Sequence, residues 1–323
     1  MTHAIRIHET GGPSVLRWDE VEVGAPGPGE ARVRHAAVGL NFIDTYHRSG
    51  LYPLPLPAVI GSEAAGTVVA VGPGVAEVAP GDRVAYAGPV GAYAEERLIP
   101  AHRLVPLPEG VDERLAAASM LKGMTARYLL RRTHRVEPGE TILLHSAAGG
   151  VGLIAAQWAK ELGATVIGTV STDEKAALAR EAGCDHVVVT SREDFVARVK
   201  EVTGGAGVRV VYDAVGKDTF HGSLDCLAPL STMVTYGNSS GPVEPISPLL
   251  LAQKGSLFLT RPTLMAYTAR REDLLATAAD LFDVLRSGAV KVRIGATFPL
   301  RDAAAAHEAL EGRRTTGSTL LLP

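Results

Sequence analysis

A chain of 323 residues exceeds what one ordinary hydrophobic core organises and fits two domains. Hydrophobic residues make up 46%, charged residues 21%, and the net charge is −3, so the chain is neither disordered in character nor basic enough to seek nucleic acid or an anionic membrane. The opening MTHAIRIHETGG has no basic stretch leading into an apolar one, and the cytoplasm is the expected location.

Up to about residue 110 the chain is broken by GAPGPGE, YPLPLP, VGPGV, APGDRV and PLPEG, and 12 of its 20 prolines lie between Pro13 and Pro108. The short runs between them, ARVRHAAVGL, AGTVVAVG, DRVAYAG and ERLIP, have the length and β-branched content of strands. A small, mostly antiparallel barrel or sandwich is expected. From about residue 138 apolar runs alternate with helical patterns. TILLHS, TVIGTV, HVVV, VRVVYDAV, STMVTYG and GSLFLT read as six buried parallel strands. GLIAAQWAKELG, DEKAALAREAG, REDFVARVKEVTGG and DTFHGSLDCL read as the helices between them. That alternation predicts a doubly wound α/β domain. A further helix, REDLLATAADLFDVLRSG, and the strand-like pieces VKVRIG and STLLLP follow, and the tail is expected to rejoin the first domain.

Between TILLHS and the next helix stand Gly149, Gly150 and Gly152. Bare backbone there suits tight helix-on-strand packing, and it also suits a pyrophosphate approaching the amide groups of a helix N-terminus. The position after a buried strand, before a helix and ahead of another strand favours nucleotide binding. The spacing is S-x-x-G-x-x-G from Ser146, a variant of the common glycine pattern. At the end of the second strand, TVSTDEK offers Ser171, Thr172 and Lys175 where an NAD-preferring fold presents an acid. These side chains can bind a 2′-phosphate; the ordinary alternative is that Ser171 and Thr172 only cap the helix while Lys175 is solvated.

Residues 142–159 are apolar enough to resemble a membrane span, but His145, Ser146, Gln157 and the glycines are costly in a bilayer. Cys184 and Cys226 stand alone, which excludes a disulfide framework and a four-cysteine zinc site. The ten histidines are scattered, each by default a surface or satisfied core residue. NSSG around Ser239 and Ser240 lacks the G-x-S-x-G elbow of a hydrolase nucleophile.

Five motifs in order, NFIDTYHRSGLYP, GSEAAGTV, LKGMTARYLL, HSAAGGVGL and YGNSSG, make the chain similar from end to end to the NADPH:quinone oxidoreductases. These form the zeta-crystallin-like, zinc-free branch of the medium-chain dehydrogenase/reductase superfamily. The resemblance implies a GroES-like β-rich catalytic domain over 1–122 and 262–323, a six-stranded Rossmann domain over 123–261, and a cleft between them. It also implies NADPH as cofactor, a small quinone as substrate, and a homodimer formed through the GSLFLT edge.

By the same resemblance Asn41 and Asp44 approach the nicotinamide, with Tyr46 and Tyr52 on the substrate side. Asn41, Tyr46 and Tyr52 become the candidate catalytic residues; the alternative for the tyrosines is that they are apolar walls. Lys122, Thr125 and Tyr128 would lie along the nicotinamide and ribose. Gly149, Gly150, Val151 and Gly152 would meet the pyrophosphate, and Ser171, Thr172 and Lys175 the 2′-phosphate. Val215, Gly216, Tyr236, Gly237, Asn238, Ser239, Ser240, Phe258, Leu259 and Ser318 complete the implied cofactor set. Where relatives carry a tyrosine beside the 2′-phosphate this chain has Thr190, with Arg192 as a substitute contact. Ser62 stands where zinc alcohol dehydrogenases have a metal-binding histidine, and Asn41 or a neighbour where they have a cysteine, so no catalytic zinc is expected and Glu63 is expected to stabilise the fold. Two other readings remain: reduction of the double bond of an enone or alkenal, and NADPH-linked RNA binding or a structural role, against which the charge and the lack of basic runs weigh.

Overall fold

The computed structural model describes residues 1–323 and divides into two compact units. The first comprises Met1–Met124, Thr268–Arg286 and Val292–Pro323, and the second Thr125–Tyr267 and Ser287–Lys291. No helix is long and apolar enough to cross a membrane.

In the first unit the chain lays down β1 (Thr2–Ile7), β2 (Arg17–Val21), β3 (Glu30–Leu40), α1 (Phe42–Ser49), β4 (Ala58–Val59), β5 (Glu63–Val71), β6 (Arg83–Ala87), β7 (Glu96–Pro100) and β8 (Val105–Pro106). The helix α2 (Glu113–Tyr128) carries the boundary at Met124. β3 begins with alternating exposed and buried residues and ends in a fully buried stretch, so it is one-sided at its start and enclosed where it delivers Asn41 to α1. Its core partners include Val68, Tyr86, Tyr93, Ile99 and Leu321.

In the second unit come β9 (Thr141–Leu144), α3 (Gly150–Glu161), β10 (Thr165–Val170), α4 (Asp173–Glu181), β11 (His186–Val189), α5 (Phe195–Val202), β12 (Val208–Asp213), α6 (Phe220–Asp225), β13 (Leu227–Thr235), α7 (Leu249–Gln253), β14 (Phe258–Thr260) and α8 (Leu264–Tyr267). All six strands run parallel in the order β11-β10-β9-β12-β13-β14. The direction of winding reverses between β9 and β12, and the loops leaving their C-terminal ends mark the place where such sheets bind ligands.

The chain then adds α9 (Arg271–Arg286), β15 (Ile294–Pro299), α10 (Ala303–Glu311) and β16 (Ser318–Leu322). β16 pairs antiparallel with β3, and β15 parallel with β16, so the tail completes the seven-stranded sheet β15-β16-β3-β5-β6-β8, with β7 also on β3. A separate sheet has the order β2-β1-β4.

Several elements differ from their sequence reading at the ends. The TILLHS strand stops at Leu144 because Ser146 turns into the left-handed region at φ 56°. GSLFLT yields a strand only at Phe258–Thr260, since Gly255 and Ser256 also take positive φ. The strand expected at VKVRIG lies further on, at Ile294–Pro299.

Candidate active site

The turn between β9 and α3 is built around Gly149, which caps the helix, and Gly152 in its first turn. A Cβ on Gly152 would lie 2.2 Å from the Ser146 carbonyl oxygen and 2.8 Å from Ala147 backbone atoms, so only glycine allows the helix to start this close to the turn. Gly150 and Val151 are the first residues of α3, and no side chain caps the helix. Its leading amide groups and positive dipole end therefore suit an anion.

Two further loops leave the same end of the sheet. After β12, the buried Asp213 carboxylate accepts from Val215 N (2.7 Å), Gly216 N (3.1 Å) and the Thr219 hydroxyl, which pins residues 213–219. After β13, Ser239 N donates to Ala214 O at 3.2 Å and Ser240 N to Val215 O at 2.9 Å. The Ser240 hydroxyl also donates to Val215 O (2.9 Å). Tyr236 N donates to Asp213 O, and Arg261 Nη1 holds the Gly237 carbonyl at 3.0 Å beside Asn238. Val215, Gly216 and the 236–240 segment are thus one locked wall. Asp213 and Arg261 were missed by sequence reasoning: Asp213 looks like a strand end, and the contact of Arg261 with Gly237 spans 24 positions.

At the end of β10, Thr172 caps α4, its hydroxyl oxygen accepting from Lys175 N at 3.3 Å. Lys175 Nζ reaches Ser171 Oγ at 3.5 Å, which sets an ammonium and a hydroxyl side by side. Thr190 donates its hydroxyl to Val170 O at 3.1 Å, and Arg192 makes a forked ion pair with Asp173 at 2.8 and 2.9 Å. Tyr128 stacks on Tyr267 with ring centres 4.6 Å apart, and burial pushes its phenol upward in pKa while a hydrogen bond with Thr125 opposes the shift. Phe258 and Leu259 are not brought to this group. They occupy the edge strand, 62% and 37% exposed, paired with Thr232 and Met233 short of the end of β13.

In the first unit, β3, α1, β5 and α2 converge on one buried polar cluster. Glu63, fully buried, accepts from Lys122 Nζ (2.7 Å), Asn41 Nδ2 (2.9 Å) and Leu121 N (2.7 Å). Asp44, in the first turn of α1, accepts from Asn41 N at 2.9 Å through Oδ2, and the Ser62 hydroxyl lies 3.0 Å from Oδ1. Tyr46 and Tyr52 pack edge to face at 5.3 Å, and Tyr52 N donates to Tyr46 O. The cluster thus unites Asn41, Asp44 and Lys122, with the tyrosine pair on the same helix and its following turn. Ser318 instead donates its buried hydroxyl to Ala118 O at 2.6 Å.

Residues 27–109 match the model of the alcohol dehydrogenase GroES-like domain, and 150–283 that of the zinc-binding dehydrogenases. Quinone oxidoreductase of Pseudomonas aeruginosa is 53% identical over 325 residues, covering 100% of both chains. A 2-haloacrylate reductase of a Burkholderia species is 50% identical over 100% of this chain and 99% of its own. The crystal structure of Escherichia coli quinone oxidoreductase complexed with NADPH superposes with a TM-score of 0.98 at 50% identity, over 99% of this chain and 100% of that one. The chain belongs to the zeta-crystallin-like quinone oxidoreductases of the medium-chain dehydrogenase/reductase superfamily.

The zinc in one family description does not fit the residues here. Ser62 and Asn41 offer a hydroxyl and a carboxamide in place of imidazole and thiolate, and both are engaged with Asp44 and Glu63. No group of three or more histidine, cysteine, aspartate or glutamate residues stands ready to hold a metal ion.

Proposed function

We propose that this protein reduces a small quinone with NADPH, without a metal. The observation that carries the reading is the Gly149–Gly152 turn at the switch point of the sheet, joined to the hydroxyl and ammonium pair of Ser171 and Lys175 at the end of β10. The relative with TM-score 0.98 was crystallised with NADPH, which fits this turn. When bound, the reduced nicotinamide supplies a hydride.

In this reading the amides of Gly150 and Val151 hold the pyrophosphate, and the locked loops at 213–219 and 236–240 flank the nucleotide. Lys175 neutralises the 2′-phosphate, which Thr190 and Arg192, committed to Val170 and Asp173, support less. Thr125 and Tyr128 face the ribose. Asn41, Tyr46 and Tyr52 orient the acceptor oxygen. A quinone is electrophilic without a Lewis acid and yields a stabilised anion, so alignment and delivery of a proton suffice.

Titration tests the cofactor assignment. NADPH should bind about tenfold to hundredfold more tightly than NADH, as charge-assisted phosphate contacts imply, and Lys175→Ala should remove most of that preference. Equal affinities in the unaltered protein would defeat the reading. The 50% identical 2-haloacrylate reductase favours a second one, reduction of an activated carbon–carbon double bond with the same hydride geometry. We also infer a homodimer through β14, whose Phe258 and Leu259 are exposed on an unpaired sheet edge. Light scattering at micromolar concentration should return twice the chain mass, and a monomer would refute it.

A further inference from the structure

A chain of hydrogen bonds leads from the surface of the first unit into the polar cluster, and the donors along it fix its direction. Glu311 on α10 forms an ion pair with Arg48 Nη2 at 2.7 Å. Arg48 Nη1 lies 3.0 Å from His307 Nδ1, and a guanidinium only donates, so Nδ1 is the bare nitrogen. Burial, with Arg48 beside it, lowers the His307 pKa to about 3 and keeps the ring neutral. His307 must then carry its proton on Nε2 and donate it to Tyr93 Oη at 3.0 Å. Tyr93 has one proton left to give, and it goes to Asp44 Oδ2 at 3.1 Å. The Tyr93 ring is fixed in place against Gly61, where a Cβ would come within 2.1 Å of it.

Asp44 Oδ2 therefore faces two donors that cannot reverse, Tyr93 Oη and Asn41 N. Only Oδ1 can take a proton, and its partner is Ser62 Oγ. When Asp44 is ionised, Ser62 donates inward to it. When Asp44 is protonated, the bond reverses and the Ser62 hydroxyl is released to donate elsewhere. Ser62 adjoins Glu63, which binds Asn41, the residue assigned to the acceptor oxygen.

We propose that Asp44 and Ser62 form the proton path to the acceptor, with Arg48, His307 and Tyr93 fixing its direction. The inference rests on the proposed reductase reading. Once hydride arrival leaves an acceptor oxygen anionic, that oxygen takes the Ser62 Oγ proton, and Ser62 takes the proton from Asp44 Oδ1. Asp44 is left as a carboxylate and regains its proton from solvent through Ser62 after product leaves. Burial pushes the Asp44 pKa up to about 7 against the hydrogen bonds from Asn41, Ser62 and Tyr93 and the charge of Lys122 on α2, so the acid form is available near neutrality. The other charged groups around this path are Glu63 on β5 and Arg48 on α1.

The test is the pH profile of quinone-dependent NADPH oxidation, paired with infrared titration of the protein alone. Turnover should fall as pH rises above about 7, and a protonated-carboxyl band should disappear over the same range. Asp44→Asn keeps an oxygen for Asn41 N but should abolish the pH limb and the band and lower turnover about 10-fold to 100-fold. Ser62→Ala should lower turnover similarly while keeping the band. Tyr93→Phe removes a donor to the carboxylate and should move the limb to higher pH by about one unit. A wild-type limb and rate retained in Asp44→Asn or Ser62→Ala would overturn the proposal, as would an Asp44 that stays ionised at about pH 5 by infrared. No quinone turnover by the unaltered protein would instead count against the reductase reading, leaving the infrared result to decide the state of Asp44.

Discussion

Lys122→Met isolates the electrostatic centre of the first unit. Glu63 has no exposed surface and Lys122 almost none, and their 2.7 Å contact is one of three hydrogen bonds that Glu63 accepts. Removing the ammonium leaves a buried carboxylate held by one carboxamide and one backbone amide. Breaking a buried pair on one side costs about 3–5 kcal/mol, far above the roughly 0–1 kcal/mol of an exposed pair. Urea denaturation of Lys122→Met, Glu63→Gln and the double variant gives the cycle. The double variant should be more stable than Lys122→Met alone, because it leaves no bare charge. A loss below about 1 kcal/mol for Lys122→Met would refute the burial argument. NADPH titration of the double variant then separates two roles for Lys122: affinity that returns with stability makes it a fold anchor, and affinity that stays low makes it a cofactor contact.

Gly152→Ala should destabilise the second unit by about 1–3 kcal/mol and weaken NADPH at least about tenfold, since the new Cβ meets the Ser146 carbonyl oxygen and α3 must shift; unchanged melting and affinity would contradict the packing described. The protein should also lose stability in mild acid. His35 and His307 are buried neutral, with pKa values lowered to about 4 and about 3 from 6.5, so the unfolded chain binds their protons first as pH falls below 6.5. Asp44, raised to about 7 from 3.8, acts oppositely, because the folded form takes its proton first. Two protons against one leave slightly less than one net proton, a loss of up to about 1.4 kcal/mol per pH unit between about pH 6 and about pH 4. A flat stability curve over that range would show that the histidines are not held neutral.

The second unit was legible because its signals are local. The glycine turn, the alternation of apolar runs with amphipathic ones, and TVSTDEK each lie within a few tens of residues, and local spacing carries the geometry. The order β11-β10-β9-β12-β13-β14 was not readable from that alternation, since parallel pairing leaves no mark of which strands are neighbours. In the first unit the chemistry is long-range. Tyr93 meets His307 across 214 positions and Asp44 across 49, and no periodicity links such residues. A scattered histidine is by default a surface or a satisfied core residue, and His35, His145 and His307 are of the second kind, yet their partners emerged only with the fold. Lys122, read as a cofactor contact from its motif, is buried against Glu63, a pairing the sequence spaces 59 residues apart.

Hydride transfer from NADPH to a quinone without a metal is decided by one panel of acceptors. Steady-state NADPH oxidation is followed after exhaustive chelation with a small quinone, an activated alkene such as an enone or 2-haloacrylate, and a simple ketone. Sustained turnover of the quinone is expected, with little of the ketone, which has no Lewis acid to polarise it. Preference for the alkene would promote the second reading. Rapid reduction of the ketone with none of the quinone, or activity lost with a removable zinc ion, would contradict metal-free quinone reduction.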